Sequence, residues 1–136
     1  GHLGVVMPMV TMAANAPVTT VASGLVVGVS SGLGLGIIGN LSFDAELVAL
    51  IDVAHGAANI VVHPGLLYSL PMGFTVGTRG AWETNGSYGF TPLLNKGFAI
   101  GSNALFVEAA FPIRFRATND GVQPSATVVV HLGLGF

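Results

Sequence analysis

The sequence predicts an all-β protein: an eight-stranded antiparallel up-and-down barrel that crosses a membrane, with residues 1–136 forming one domain. Three observations carry this. Hydrophobic residues make up 51% of the chain and charged residues only 7%, against roughly 25% charged in an ordinary soluble domain. Apolar residues alternate with small or polar ones at period two, the spacing of a strand. Eight of the ten charges fall on one side of that alternation, all but Lys96 and Asp120, as they do when one face meets lipid and the other a lumen.

Composition excludes several classes. Mean hydropathy is +0.76, too apolar for a disordered chain. Net charge is −2 with no basic patch, so nucleic-acid binding has no electrostatic footprint. The absence of cysteine removes disulfides, Cys-ligated zinc and a thiol nucleophile. The chain opens at Gly1 with no basic segment before an apolar run, and the expectation is that an export signal peptide is already removed.

A helical membrane protein is the main competitor, because residues 1–43 carry no charge and a helix spans with about 20 residues. The glycines decide against it. Leu25, Val27, Val29, Leu33, Leu35 and Ile37 are all odd, while Gly24, Gly28, Gly32, Gly34 and Gly36 are all even. A helix would also lose roughly 1 kcal/mol at each glycine relative to alanine.

The expected strands are 2–11, 21–38, 41–54, 59–70, 73–83, 90–101, 104–117 and 124–136. The first is charge-free and contains Pro8. The second is the glycine-alternating run. In the third, Phe43, Ala45, Leu47, Ala49 and Ile51 oppose Asp44, Glu46 and Asp52. The fourth places His63 inward and contains Pro64; the fifth sets Phe74, Val76 and Trp82 against Arg79 and Glu83. The sixth puts Lys96 on the outward register with Phe98 and Ile100. In the seventh, Leu105, Val107, Ala109, Phe111, Ile113 and Phe115 oppose Glu108, Arg114 and Arg116. The eighth, PSATVVVHLGLGF, turns His131 inward and ends on Phe136.

Gly39–Asn40, Pro71–Met72 and Ser102–Asn103 read as tight turns at one end of the barrel. Longer loops at 12–20, 55–58, 84–89 and 118–123 read as the other end. Phe43, Phe74, Phe98 and Phe136 fall near the turn end, and Trp82, Tyr88, Phe90 and Phe115 near the loop end, as two aromatic belts. An outward lysine at mid-membrane costs about 2–4 kcal/mol. Lys96 is therefore expected to snorkel, or a bulge near Pro92 to shift its register. Pro8, Pro64 and Pro112 each remove a ladder bond, so each should mark a bulge or strand end.

The inward residues Asp44, Glu46, Asp52, Arg79, Glu83, Glu108, Arg114, Arg116, His63 and His131 form the candidate site. An eight-stranded lumen is just wide enough for side chains to fill, so this set reads as an interior charge network rather than a catalytic or transport constellation. No serine lies beside His131 in the sequence, and the histidines read as satisfied interior groups. No catalytic residue, metal site or cofactor is expected. Gly32 to Gly36 is not a dinucleotide loop, since the third glycine is misplaced and no helix follows. The loop TNGSYGF (84–90) is a candidate contact for a partner or lipopolysaccharide.

The period-two strands, the alternating turn lengths and the terminal VVVHLGLGF resemble the small eight-stranded outer-membrane β-barrels of Gram-negative bacteria, such as the OmpA membrane domain and OmpX. The resemblance spans the whole chain. It implies the bacterial outer membrane as location, with membrane lipid and lipopolysaccharide as surroundings. It also implies that the terminal strand is an assembly signal read by the barrel-assembly machinery through Val130, Leu132, Leu134 and Phe136. The expected role is structural or partner-interacting in the cell envelope, without catalysis, with a larger envelope complex as a candidate partner. The alternatives are a narrow pore, a lipid-modifying enzyme, and a soluble β-barrel or lectin-like domain.

Overall fold

The computed structural model describes residues 1–136. The strands are β1 (His2–Ala13), β2 (Thr19–Thr20), β3 (Val26–Ile38), β4 (Leu41–Asp52), β5 (Ala57–Ser69), β6 (Phe74–Glu83), β7 (Tyr88–Ile100), β8 (Asn103–Ala110), β9 (Ile113–Thr118) and β10 (Gly121–Gly135). All pairings are antiparallel, and β1 pairs with β10 from His2↔Gly135 to Ala13↔Ser125, which closes the sheet. β8 and β9 make one stave, keeping a single register against β7 and β10 across a break at Phe111–Pro112. β2 only leans on the outer end of β1. The result is a closed barrel of eight staves. Closure matters because a strand in lipid has no water to satisfy its backbone; of the 101 backbone hydrogen bonds, 86 lie within the regular elements, and the ladder runs around the wall with no free edge.

The prolines sit where the ladder yields. At Pro8 the β1–β10 register shifts, and Met9 is the extra residue of a bulge. Opposite Pro64 the β5–β6 pairing lapses between Val62↔Trp82 and Gly65↔Arg79 without a shift. Pro112 separates β8 from β9. No bulge occurs at Pro92, where the β6–β7 register is continuous from Phe74↔Lys96 to Trp82↔Tyr88.

Several boundaries differ from the sequence reading. β3 begins at Val26, not residue 21, because the preceding segment folds into turns after β2. The third tight turn is Gly101–Ser102, one residue earlier than expected; Gly101 takes the left-handed φ of 61°, and Asn103 already pairs with Ile100. The Pro71–Gly73 turn is a short 3-10 segment rather than a two-residue turn, with Met72 at φ 61°. Three of the four outer connections are short, and β9 joins β10 through a tight hairpin with Thr118 opposite Gly121.

The outward face is apolar. Leu3, Val29, Leu33, Leu47, Leu66 and Leu132 are each at least half exposed. The buried hydrophobic core lies inside the barrel and is small: Val6, Val48, Val61, Ala81, Leu93, Ala110 and Val129. Six of these stand two positions toward the loop end from a polar residue on the same strand: Val48 from Glu46, Val61 from His63, Ala81 from Arg79, Leu93 from Asn95, Ala110 from Glu108 and Val129 from His131. Period two therefore builds the lumen in tiers, a polar ring beneath an apolar collar.

Candidate functional site: the charge plug in the lumen

Arg79, on β6, reaches across the lumen to three carboxylates. Its Nε donates to Asp44 Oδ2 at 2.7 Å, its Nη1 to Glu108 Oε1 at 2.9 Å, and Nη1 lies 3.4 Å from Glu46 Oε2. Its place is set by Gly65 on the neighbouring β5: a Cβ there would stand 2.6 Å from Arg79 Cγ, so only glycine lets the side chain lie across the wall. All four charged groups are buried. Burying charges costs several kcal/mol per ion unless they are paired, and here every buried side-chain polar atom has a partner.

Three histidines line the same cluster. His131 Nδ1 is 3.3 Å from Glu108 Oε1, and its Nε2 is 2.7 Å from Ser30 Oγ. His63 Nδ1 is 3.3 Å from Glu46 Oε2, and its Nε2 is 3.0 Å from Arg114 Nη2. His2 Nε2 lies 3.3 Å from Glu46 Oε1 and its Nδ1 3.9 Å from Asp44 Oδ1. Phe106 stacks edge-on against His131 at 4.9 Å between ring centroids and against His2 at 6.0 Å.

A second tier lies toward the loops. Arg114 Nε donates to Glu83 Oε1 at 2.6 Å, and its Nη1 bonds Thr91 and the carbonyls of Phe90 and Ile113. Glu83 Oε2 also accepts from Asn59 and Asn85. One cavity of about 280 Å³ lies on the loop side, walled by Val6, Val48 and Val129. Another of about 140 Å³ lies toward the turn end, beside His2, Asp44 and Phe106. Arg79 and Glu108 line both.

Of the ten expected network residues, Asp44, Glu46, Arg79, Glu83, Glu108, Arg114, His63 and His131 come together inside the barrel. Two do not. Arg116 keeps the inward parity but is exposed and makes no ion pair, because the β9–β10 hairpin climbs past the rim: β9 meets β7 only from Ile113 to Phe115. Asp52 lies at the loop end of β4, where it receives the backbone N–H of Ala54 and His55 and stands 2.8 Å from the His55 ring. The His55 ring and backbone donors hold this exposed carboxyl below the usual aspartate range.

Sequence reasoning missed His2, Ser30, Asn59 and Asn95. Inward parity was the available signal for His2 and Ser30, since both share the even register of their strands. The sequence also showed no serine for His131, yet Ser30 meets it from 101 residues away. Ser30, His131 and Glu108 thus line up as an acyl-transfer triad would. Ser30 is fully buried, lies outside the walls of the loop-side cavity, and sits mid-strand, where the sheet ladder consumes backbone N–H groups.

Outside the barrel, Lys96 is the one charge on the wall between the two rims. Its ammonium bends to the turn end, bonding the Met72 carbonyl and lying 4.5 Å from the Phe74 ring centroid and 5.6 Å from that of Phe98. Trp82, Tyr88, Phe98 and Phe136 are exposed on the outer face, and Tyr88 packs on Phe115 at 6.0 Å. Leu132, Leu134 and Phe136 of the last strand also face outward, with Val130 half-buried beside them.

No protein-family model and no curated protein matches the sequence. Among solved structures, the crystal structure of Neisserial surface protein A (NspA) superposes with a TM-score of 0.59 over 99% of this chain and 96% of that chain, at 12% identity. This chain has the fold of a small outer-membrane β-barrel. The crystal structure of the outer membrane enzyme PagL is also similar, with a TM-score of 0.47, 11% identity, and coverage of 96% of this chain and 98% of that one. The shared fold covers the whole barrel, while the identity is too low to carry residue roles from one chain to another.

Proposed function

We propose that this chain is an integral protein of the bacterial outer membrane whose lumen is closed and whose role is structural or partner-binding. The observation that carries this is the Arg79 bridge, which links Asp44 and Glu46 of β4 to Glu108 of β8 through the lumen, with no buried side-chain polar atom left unpartnered. Outer-membrane lipid and lipopolysaccharide cover the apolar wall. The barrel-assembly machinery reads Val130, Leu132, Leu134 and Phe136 on β10, and a larger envelope complex docks laterally or at the loop end. Catalysis is not part of this reading. The test is reconstitution into lipid vesicles and planar bilayers. Heat-modifiable gel migration with no discrete conductance is the expected result; partition into water without detergent sinks the membrane assignment, and steady single-channel steps sink the closed lumen.

A narrow pore is the second reading. It is favoured by the two cavities that approach from opposite ends and share only Arg79 and Glu108. Those same conductance steps would establish it.

A further inference from the structure

The cavity of about 280 Å³ opens toward the loops, where the exposed Asn85 lines it, and its walls change character with depth. The Arg79 tier is the floor. Above it stands an apolar collar of Val6, Val48, Leu50, Val61, Ala110 and Val129. Gly28 of β3 puts no side chain between them, and Val6, Val48 and Leu50 close over that position. Hydroxyl groups come next. Thr11 and Thr127 pair across β1 and β10 at 3.0 Å, Ser125 follows on β10, and Thr91 stands on β7.

The floor holds no unpartnered buried polar atom. Water in the collar would lack hydrogen-bond partners, and an apolar cavity of that kind stays dry and takes an apolar guest. No Phe, Tyr or Trp lines the space, so the wall is aliphatic and offers no aromatic face for stacking. A cavity of about 150 Å³ holds benzene, so by proportion this one has room for roughly eleven non-hydrogen atoms. The mouth supplies a charge. Arg114 and Ser125 face each other across the β9–β10 hairpin and both line the cavity; the next inward pair up the hairpin is Arg116 and Gln123. Acids at this end are already engaged, Glu83 by Arg114, Asn59 and Asn85, and Asp52 by His55. Arg116 makes no ion pair, and its exposed guanidinium stands above the hydroxyl tier.

We infer that the loop-side cavity is a binding site for a medium-chain carboxylate. The alkyl tail, about eight carbons by the volume above, lies in the aliphatic collar. The carboxylate accepts from the Thr11, Thr127 and Ser125 hydroxyls and pairs with the Arg116 guanidinium. Burying the tail removes apolar surface from water. The head stays at the wet rim, so its charge is not carried into the apolar tier, where an unpaired charge would be costly. The inference rests on the closed lumen proposed above, because the Arg79 tier is what makes the cavity blind.

The test uses the whole refolded barrel in lipid nanodiscs, with ¹³C-labelled Val, Leu and Ala methyl groups and sodium octanoate as the probe. Saturable shifts are expected at the Val48, Val61 and Val129 methyls, with cross-peaks to the octanoate chain, while the outward Leu33, Leu47 and Leu132 stay unchanged. Hexanoate, two methylenes shorter, should bind about fifteen-fold more weakly. R116Q should weaken octanoate about fivefold and R116K should restore it, with octanol indifferent to both. Ala110→Leu, which fills the collar, should abolish the collar shifts; the wild-type titration decides the question if that variant does not fold. Octanoate signals confined to the outward methyls would mean partition into lipid and overturn the site. Octanol binding as tightly as octanoate, with R116Q silent, overturns the carboxylate head. Steady conductance in planar bilayers would overturn the closed floor, whereas a silent barrel without collar shifts overturns the site alone.

Discussion

Arg79 and Glu108 meet side-on across the lumen, Nη1 2.9 Å from Oε1 and Nη2 3.4 Å from Oε2, joining β6 to a strand that is not its neighbour in the wall. The pair braces the barrel through the lumen past the intervening β7, which no backbone hydrogen bond does. Arg79→Met leaves Asp44, Glu46 and Glu108 facing one another without a fixed cation. The expected loss is about 3–5 kcal/mol in urea unfolding from lipid vesicles, as for other broken buried pairs. Adding Glu108→Gln should recover part of it, because the two sites share one network.

The Ser30–His131 contact reads as a positioning bond, with the hydroxyl holding the ring edge-on to Phe106 and toward Glu108. Ser30→Ala should destabilise the barrel by about 1–3 kcal/mol by leaving a buried ring nitrogen without a partner. A fluorophosphonate probe should leave the folded wild-type protein unlabelled. Covalent labelling at Ser30 would show an accessible nucleophile and reverse this reading.

Lys96 tests whether the outer wall meets lipid. Its ammonium already reaches the turn end through Met72, Phe74 and Phe98. Lys96→Met should therefore change stability in vesicles by less than about 1 kcal/mol. Leu47→Lys, on the exposed middle of β4, should cost about 2–4 kcal/mol in bilayers. The same substitution would be nearly neutral if that wall faced water.

Asp52 and His55 set a local pH response at the loop end. Donors from His55 and Ala54 depress the Asp52 carboxyl, so their ordering of the 52–55 turn is present above the ordinary aspartate range near 3.9 and is lost as pH falls through the depressed value. A carboxyl ¹³C titration should place Asp52 below that range, and His55→Ala should move it upward. The barrel's urea midpoint should not follow, because the group is solvent-exposed.

Much of the barrel was legible in the residues because a strand's side chains alternate everywhere but at bulges such as Met9. Once Leu33 and Leu35 were read as outward and Gly32 and Gly34 as inward, the same alternation, applied strand by strand, placed Asp44, Glu46, Arg79, Glu108, Arg114 and His131 inside. Parity alone does not say how high a residue sits. Arg116 and Asp52 have the inward parity yet stand at the loop end, because strand tilt and a climbing hairpin set height relative to the rim. Lys96 is the converse case: its outward parity was right, and a flexible stem rather than a bulge resolved the conflict.

By itself the sequence determined the closed, period-two wall, the apolar exterior and the population of the lumen, since these follow from local alternation along each strand. Only the tertiary structure decided who meets whom inside. Ser30 meets His131, His2 meets Glu46, and Arg114 reaches His63 through contacts between strands far apart in the chain. Those partners depend on how far each strand is staggered against the next and on how long side chains reach across the lumen. That stagger is set by ring closure of the whole sheet, so no single strand's residues contain it.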